Sequence, residues 1–283
     1  GRSGVASAAM GTDLAADHVP VLDRFRLTDT VAVVTGAGKG IGAEIARALA
    51  EAGADVALVA RTADDLEEVA TAVRGLGRRA LVHAADLNDI DTLPVLLERV
   101  QQELGGLDIV VNNAGGSTSY PFLDTRVEHL EGSFHFNISV PFELSRLAVP
   151  MLLARGGGSI INISSVAGSK TTRGGLVHGT MKAAMTHMTK MMAQDLAPKI
   201  RVNAVLPGAI ETAALSRLLS RMDPSVRATM VERTPMRRNG RPDDIAPMVV
   251  YLASEAACWI TGKCYDIDGN ASADLIPKAI PDL

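Results

Sequence analysis

Val31-Ala32-Val33-Val34-Thr35-Gly36-Ala37-Gly38-Lys39-Gly40-Ile41-Gly42-Ala43-Glu44-Ile45-Ala46-Arg47-Ala48-Leu49-Ala50 carries three signals in a row. Val31–Thr35 is a β-branched run, Gly36–Gly42 is a glycine-rich turn, and the stretch from Gly42 to Ala52 has the apolar spacing of a helix. Glycines let the backbone approach a phosphate closely, and the N–H groups at a helix start point at it. A glycine cluster alone serves ordinary tight bends equally well. Between a strand and a helix it points instead to dinucleotide binding, with Gly36, Gly38, Lys39, Gly40, Ile41 and Gly42 forming the cradle.

The same alternation continues outward. Further strands are expected at Asp55–Ala60, Ala80–Ala84, Ile109–Asn112, Ser159–Ile163, Arg201–Leu206 and Cys264–Ile267. They are mostly continuous apolar runs, as required of parallel strands with helices on both faces. Helices are expected at Ala63–Gly75, Thr92–Leu104, a long stretch Val127–Ala154, Val177–Leu196 and Asp243–Ser254. The expected fold is α/β, a Rossmann-type doubly wound sheet of seven parallel strands. No repeat or linker divides it, so 25–283 reads as one domain. Residues 1–24 read as a disordered or vector-derived extension, with Gly1-Arg2-Ser3-Gly4 a cloning remnant and Met10 a candidate start.

Composition narrows the function classes. The chain has 28 Lys+Arg against 32 Asp+Glu, a formal net charge of −4, with no general pull toward nucleic acid or anionic membrane. No run approaches the ~18 apolar residues of a membrane span, and no signal-peptide pattern is visible. Cys258 and Cys264 are too few for a disulfide framework or a zinc site, and no metal is expected. A cytoplasmic protein with reduced thiols is the default reading.

Thr35-Gly36-x-x-x-Gly40-x-Gly42 differs from the general Gly-x-Gly-x-x-Gly spacing, and this variant resembles the short-chain dehydrogenase/reductase family. Asn112-Asn113-Ala114-Gly115, Asp86-Leu87, Pro207-Gly208-Ala209-Ile210-Glu211-Thr212, Trp259-Ile260-Thr261-Gly262 and Asp268-Gly269 extend the resemblance from about Leu27 to Gly269. It implies that Asn113, Ala114 and Gly115 lie beside the cofactor ribose and that Asp86 and Leu87 border the adenine. Pro207, Gly208, Ile210 and Thr212 would approach the nicotinamide. An acidic residue ending the second strand would accept from both ribose hydroxyls and repel a 2′-phosphate. Here that slot holds Ala60, followed by Arg61 and Thr62, and Lys39 lies in the glycine turn. Two cations and no carboxylate favour NADP(H). NAD(H) stays open if Arg61 stacks on the adenine and Lys39 is merely solvated.

The resemblance also implies an Asn, a Ser and a Tyr-x-x-x-Lys pair, which match Asn137, Ser165, position 178 and Lys182. Position 178 is histidine, and none of Tyr120, Tyr251 and Tyr265 precedes a lysine by four. From one backbone position an imidazole nitrogen reaches roughly 2 Å less far than a phenol oxygen, and ~1 Å of misplacement costs on the order of a hundredfold in rate. Lys182 would hold the nicotinamide ribose, and its charge would push His178 toward neutrality. Three readings stay open: His178 as direct acid/base, His178 holding a bridging water, or a cofactor-binding protein without catalysis that senses redox state or serves in an assembly. Tyr120 is either a substitute donor or a lip residue touching substrate, and His135 reads as a packed helix histidine.

Glu211–Arg241 reads as a flexible substrate flap carrying Arg217, Arg221, Arg227, Arg233, Arg237, Arg238 and Arg241. Such a flap either recognises an anionic tail, as on a coenzyme A thioester, or pairs its arginines locally. The resemblance is to bacterial 3-oxoacyl-thioester reductases and hydroxysteroid dehydrogenases, which implies a small carbonyl or alcohol substrate, an acyl thioester or a steroid among them. Met181, Met185, Met188 and Met192 recur at helical spacing, for core packing or a subunit contact. A homotetramer, or a homodimer, is expected.

Overall fold

The computed structural model describes residues 19–220 and 223–271, so residues Gly1–Gly4, Met10 and Arg221 lie outside the described part. Seven parallel strands form one sheet: β1 Val31–Thr35, β2 Asp55–Ala60, β3 Ala80–Ala84, β4 Ile109–Asn112, β5 Gly158–Ile163, β6 Ile200–Pro207 and β7 Cys264–Ile267. Their order is β3-β2-β1-β4-β5-β6-β7. Val34 pairs with Leu58 on one side and Val111 on the other, and Asn112 pairs with Asn162.

Period-two alternation decides which face each side chain covers. Ala32 and Val34 join one core with Ile45, Leu49, Leu66 and Val249, while Val31 and Val33 join another with Leu96, Leu144 and Leu152. The first core lies under α1 Gly40–Glu51, α2 Ala63–Gly75 and, late in the chain, α9 Pro242–Ala253. The second lies under α3 Thr92–Leu104, α5 Val140–Ala154 and α6 Leu176–Leu196.

Three expectations need correction. α1 is bounded at Gly40 rather than Gly42, inside the glycine turn, where Gly40 at φ +58° turns the chain from the loop into the helix. The long helix 127–154 is interrupted: α4 covers Val127–Phe134, then His135–Ser139 winds as a π-helical turn before α5. Such wide turns re-aim side chains within a helix and recur at functional sites. The flap is more regular than expected, with α7 at Ala213–Leu219 and α8 at Ser225–Arg233. Before the sheet, Asp23–Phe25 forms a 3-10 turn, Phe25 stacks on Tyr251 and Arg24 donates to Glu255 O at 2.9 Å. The described end of the expected extension is therefore tied to the domain.

Candidate active site

A cleft of about 900 Å³ opens beyond the carboxyl ends of β1 to β4, where the strand order reverses. Open α/β sheets bind ligands at such a crevice. Gly36, Gly38, Lys39, Arg61, Thr62, Asp86, Leu87, Asn113, Ala114 and Gly115 all line it, as expected. Gly36 and Gly40 have φ of +66° and +58°, a conformation that glycine adopts freely. Two loops are stitched together here. Asn113 Nδ2 donates to Thr35 O at 2.9 Å and Gly36 O at 3.2 Å, while Thr35 Oγ1 accepts from the N–H groups of Asn113 and Ala114, both at 3.0 Å. No side chain caps the start of α1, so its first N–H groups stay available at the turn.

Gly42 and Ile41 do other work. A Cβ on Gly42 would lie 2.2 Å from Gly36 O, so this glycine lets the helix pack against the turn. Ile41 packs against the first core. Pro207 ends β6, Gly208 closes against Asp268 (a Cβ would meet it at 2.6 Å), and Ile210 is buried beside Gly240. None of these three lines the cleft. Thr212 returns to the glycine turn, its Cγ2 3.2 Å from where a Cβ on Gly40 would stand.

The end of β2 holds Ala60 and no carboxylate, but one reaches the glycine turn from α2. Lys39 Nζ is 2.9 Å from Asp65 Oδ2, and Asp65 also lines the cleft. In the sequence Asp65 looks like a helix-start acid; only the fold turns it toward Lys39. Asp86 is held below the usual carboxylate range by hydrogen bonds from the Asn88 backbone and side chain, and less by the Arg61 charge.

The β5–α6 corner carries the remaining residues. Ser165 follows β5, and its Oγ accepts from Ala167 N–H at 3.1 Å, which leaves the hydroxyl proton to donate. Two glycines that the sequence reading passed over make the corner close. A Cβ on Gly168 would lie 2.8 Å from the backbone at Lys182 and Ala183, and one on Gly179 would lie 2.9 Å from Ala167 O. Their bare backbones let the turn after Ser165 lie directly on α6. Ser164 Oγ fastens it by donating to Lys182 O at 2.9 Å.

Lys182 is 5% exposed, and its Nζ donates to Ile163 O at 3.0 Å. A Cβ on Gly115 would stand 3.2 Å from that Nζ and 2.9 Å from Asn137 Oδ1, so all three meet at one point. Burial lowers the Lys182 pKa to about 8. His178, one turn earlier, is lowered to about 4 by burial and then by the Lys182 charge. Its imidazole is neutral above that pH.

Asn137 sits in the π-helical turn and is fully buried. Its Oδ1 accepts from Gly116 N–H at 2.9 Å, and its Nδ2 donates to Gly116 O at 3.0 Å and Ser133 O at 2.9 Å. Both amide hydrogens are thus committed to backbone, so the side chain braces the Gly115–Gly116 loop after β4. His135 Nε2 donates to Asn88 O at 2.8 Å. Tyr120 stacks on His129 with ring centroids 4.0 Å apart, and both rings line the cleft.

Elsewhere the plainer readings hold. Met181 and Met185 are buried, and Met188 packs with them against Ile138 and Leu130. In the flap, Arg227 pairs with Glu211, and Arg238 grips Asp244 at 2.5 and 2.7 Å. Arg217 alone of the described flap arginines lines the cleft. Among the described residues no helix is long and apolar enough to cross a membrane, and no group of three or more His, Cys, Asp or Glu could hold a metal ion.

Fold and cleft together define a Rossmann-type domain with a crevice at the point where the strand order reverses and a buried lysine nearby. Residues 36–271 match the family described as enoyl-(acyl carrier protein) reductase. An uncharacterized oxidoreductase of Mycobacterium tuberculosis is 46% identical over 93% of this chain and all of that protein. The 7α-hydroxysteroid dehydrogenase of Escherichia coli K12 is 37% identical over 89% of this chain and 98% of its own. A solved 7α-hydroxysteroid dehydrogenase in complex with NADH and 7-oxoglycochenodeoxycholic acid superimposes with a TM-score of 0.85 at 37% identity, covering 90% of this chain and 98% of that one. The chain belongs to the short-chain dehydrogenase/reductase family of NAD(P)-dependent oxidoreductases.

Proposed function

We propose that the chain transfers hydride between a nicotinamide dinucleotide, NADP(H) by preference, and a carbonyl or secondary alcohol, with His178 in the proton-transfer position. The observation that carries this reading is that Lys182 Nζ and Asn137 Oδ1 both close on Gly115, which lines the cleft. The cleft fits the cofactor: its glycines leave room that a Cβ would fill, and α1 presents an uncapped N-terminus. When bound, the nicotinamide supplies or takes the hydride. Gly36, Gly38 and Gly40 hold the pyrophosphate, Arg61 and Lys39 face the 2′-phosphate, and Asp86 and Leu87 border the adenine. Lys182 holds the nicotinamide ribose, braced by Asn137 through Gly115–Gly116. Ser165 donates to the reacting oxygen.

His178 differs in both reach and acidity from the tyrosine that the family resemblance implies at this position. With a pKa of about 4, about one imidazole in a thousand is protonated at pH 7. Direct donation is therefore slow, and a water held between the imidazole and the substrate oxygen offers a second route. The same low pKa favours a second reading, a dinucleotide-binding protein without turnover. Steady-state assays with NADPH and NADH, one diketone, one 3-oxoacyl thioester and one oxosteroid separate the two. Measurable turnover is expected, and His178→Tyr should raise it at least ~10-fold, since general acid catalysis is worth ~10²–10⁴. Cofactor binding with no turnover by either protein supports the second reading.

The substrate class follows the relatives: a rigid steroid-like ketone or alcohol, or an acyl thioester. The anionic-tail reading of the flap now rests on Arg217, because Arg227 and Arg238 are paired locally. A homotetramer or homodimer fits the exposed Phe142, Leu153 and Met191 on α5 and α6. A cytoplasmic site fits the free thiols of Cys258 and Cys264.

A further inference from the structure

The two cations that face the adenosine end of the cleft each have a carboxylate near them. Lys39 is paired with Asp65 at 2.9 Å, and the charge of Arg61 is felt by Asp86. Two cations set against two acids make this end close to neutral before any nucleotide arrives. Resting on the reading of the cleft as a dinucleotide site, we propose that Asp65 is a built-in competitor for the 2′-phosphate: its carboxylate occupies Lys39 in the free protein and sets how strongly the cleft prefers NADP(H) over NAD(H).

The positions of the two partners support exchange. The Lys39 side chain is 70% exposed and that of Asp65 only 24%. Lys39 is the mobile partner on a long stem, and a pair so exposed is held weakly, so a phosphate dianion can take its place. Asp65 is the fixed partner. It lies in the first turn of α2, where the helix dipole favours an acid. Its Cβ is 3.1 Å from where a Cβ on Gly38 would stand, against the glycine turn itself. Gly38 therefore does two things: it keeps the turn low for phosphate, and it lets the carboxylate come within reach of Lys39. When Lys39 swings to a phosphate, Asp65 stays behind and loses its ion-pair partner.

An acid at the end of β2 would reward the bare ribose of NAD(H) by accepting from its hydroxyls. Asp65 arrives from α2 instead, with Ala60 and Arg61 occupying the strand end. It penalises the phosphate through the cation that would otherwise bind it. NAD(H), lacking the phosphate, leaves the Lys39–Asp65 pair in place.

Calorimetric titrations with NADPH, NADH and 2′,5′-ADP test this in the full chain. Asp65→Asn should bind NADPH and 2′,5′-ADP about 10-fold more tightly, the scale of one charge-assisted contact, and NADH within about 2-fold of wild type. In a Lys39→Met background the same substitution should change NADPH affinity by less than about 2-fold, because the competition runs through Lys39. Asp64→Asn, which removes an equal charge from the same helix turn, should also stay within about 2-fold. Thermal melts confirm that each variant is folded, and Asp65→Ser repeats the test if Asp65→Asn is not. Weaker NADPH binding by Asp65→Asn would make Asp65 a scaffold for Lys39 and overturn the proposal. Equal tightening of NADPH and NADH would overturn it too, by showing a general charge effect. A wild type that binds neither dinucleotide would instead remove the functional reading beneath it.

Discussion

The glycine turn after β1 and the corner after β5 share one plan: a strand, a turn on bare backbone, then a helix. At the first, what matters is the absence of side chains. In the proposed function, Gly36, Gly38 and Gly40 are the surface a dinucleotide phosphate approaches, and the recognising groups are backbone N–H. At the second, Gly168 and Gly179 bring two segments equally close, but the chemistry then depends on how far one side chain reaches and what pKa it has. A binding cradle built from backbone survives neighbouring changes. A proton-transfer site built on one side chain, as proposed for His178, depends on that side chain's own reach and pKa.

The sharpest way to break this contrast is to put a side chain into the cradle. Gly40→Val forces a branched residue to φ +58° beside Thr212 and into the path of the phosphate. NADPH affinity should fall at least about 1000-fold, while circular dichroism stays close to wild type and the backbone strain of about 1–3 kcal/mol lowers the melting temperature by several degrees. Retained affinity would mean the turn is only a bend.

The second prediction uses acid. His178 has a folded pKa of about 4 and an unfolded one near 6.5. Between those values the unfolded chain binds the extra proton, so this group's contribution is full above about pH 6.5 and is lost as pH falls to about 4. The loss is on the order of 3 kcal/mol. Denaturant titrations of wild type and His178→Phe across pH 4–7 should show a shallower slope in the variant. Parallel slopes would place the imidazole in water rather than in the buried corner.

The smallest effect moves the corner without touching its chemistry. Gly179→Ala introduces a Cβ that would lie 2.9 Å from Ala167 O, so the turn after Ser165 must lift. A cost of about 1–2 kcal/mol in stability is expected, with cofactor affinity unchanged and kcat reduced about 10-fold or more. Loss of cofactor affinity instead would show that the two regions are not separable.

Most of the frame was legible because it follows from local pattern. Continuous β-branched runs and 3.6-residue apolar spacing mark the strands and most helices to within one or two residues. Side-chain commitments were less legible. Asn137 carries a motif that reads as catalytic, yet its amide is spent on Gly116 and Ser133. Asn112 and Asn162 look like one motif and one strand residue. In the fold they join Ser145 and Thr189 in a buried chain of hydrogen bonds at 2.8–3.1 Å that locks β4 and β5 to α5 and α6.

What the amino-acid order determined by itself is the sheet, the glycine cradle and the identity of the residue one turn before Lys182. These depend on neighbours along the chain, where spacing and residue type carry the information. Only the tertiary structure decided that Asp65 faces Lys39, that Gly168 and Gly179 seat the serine turn on α6, and that His178 is buried enough to be neutral. Each of these depends on which distant segments meet and how much water they exclude. Coulomb attraction, steric contact and desolvation act on distance in space, which spacing along the chain does not encode.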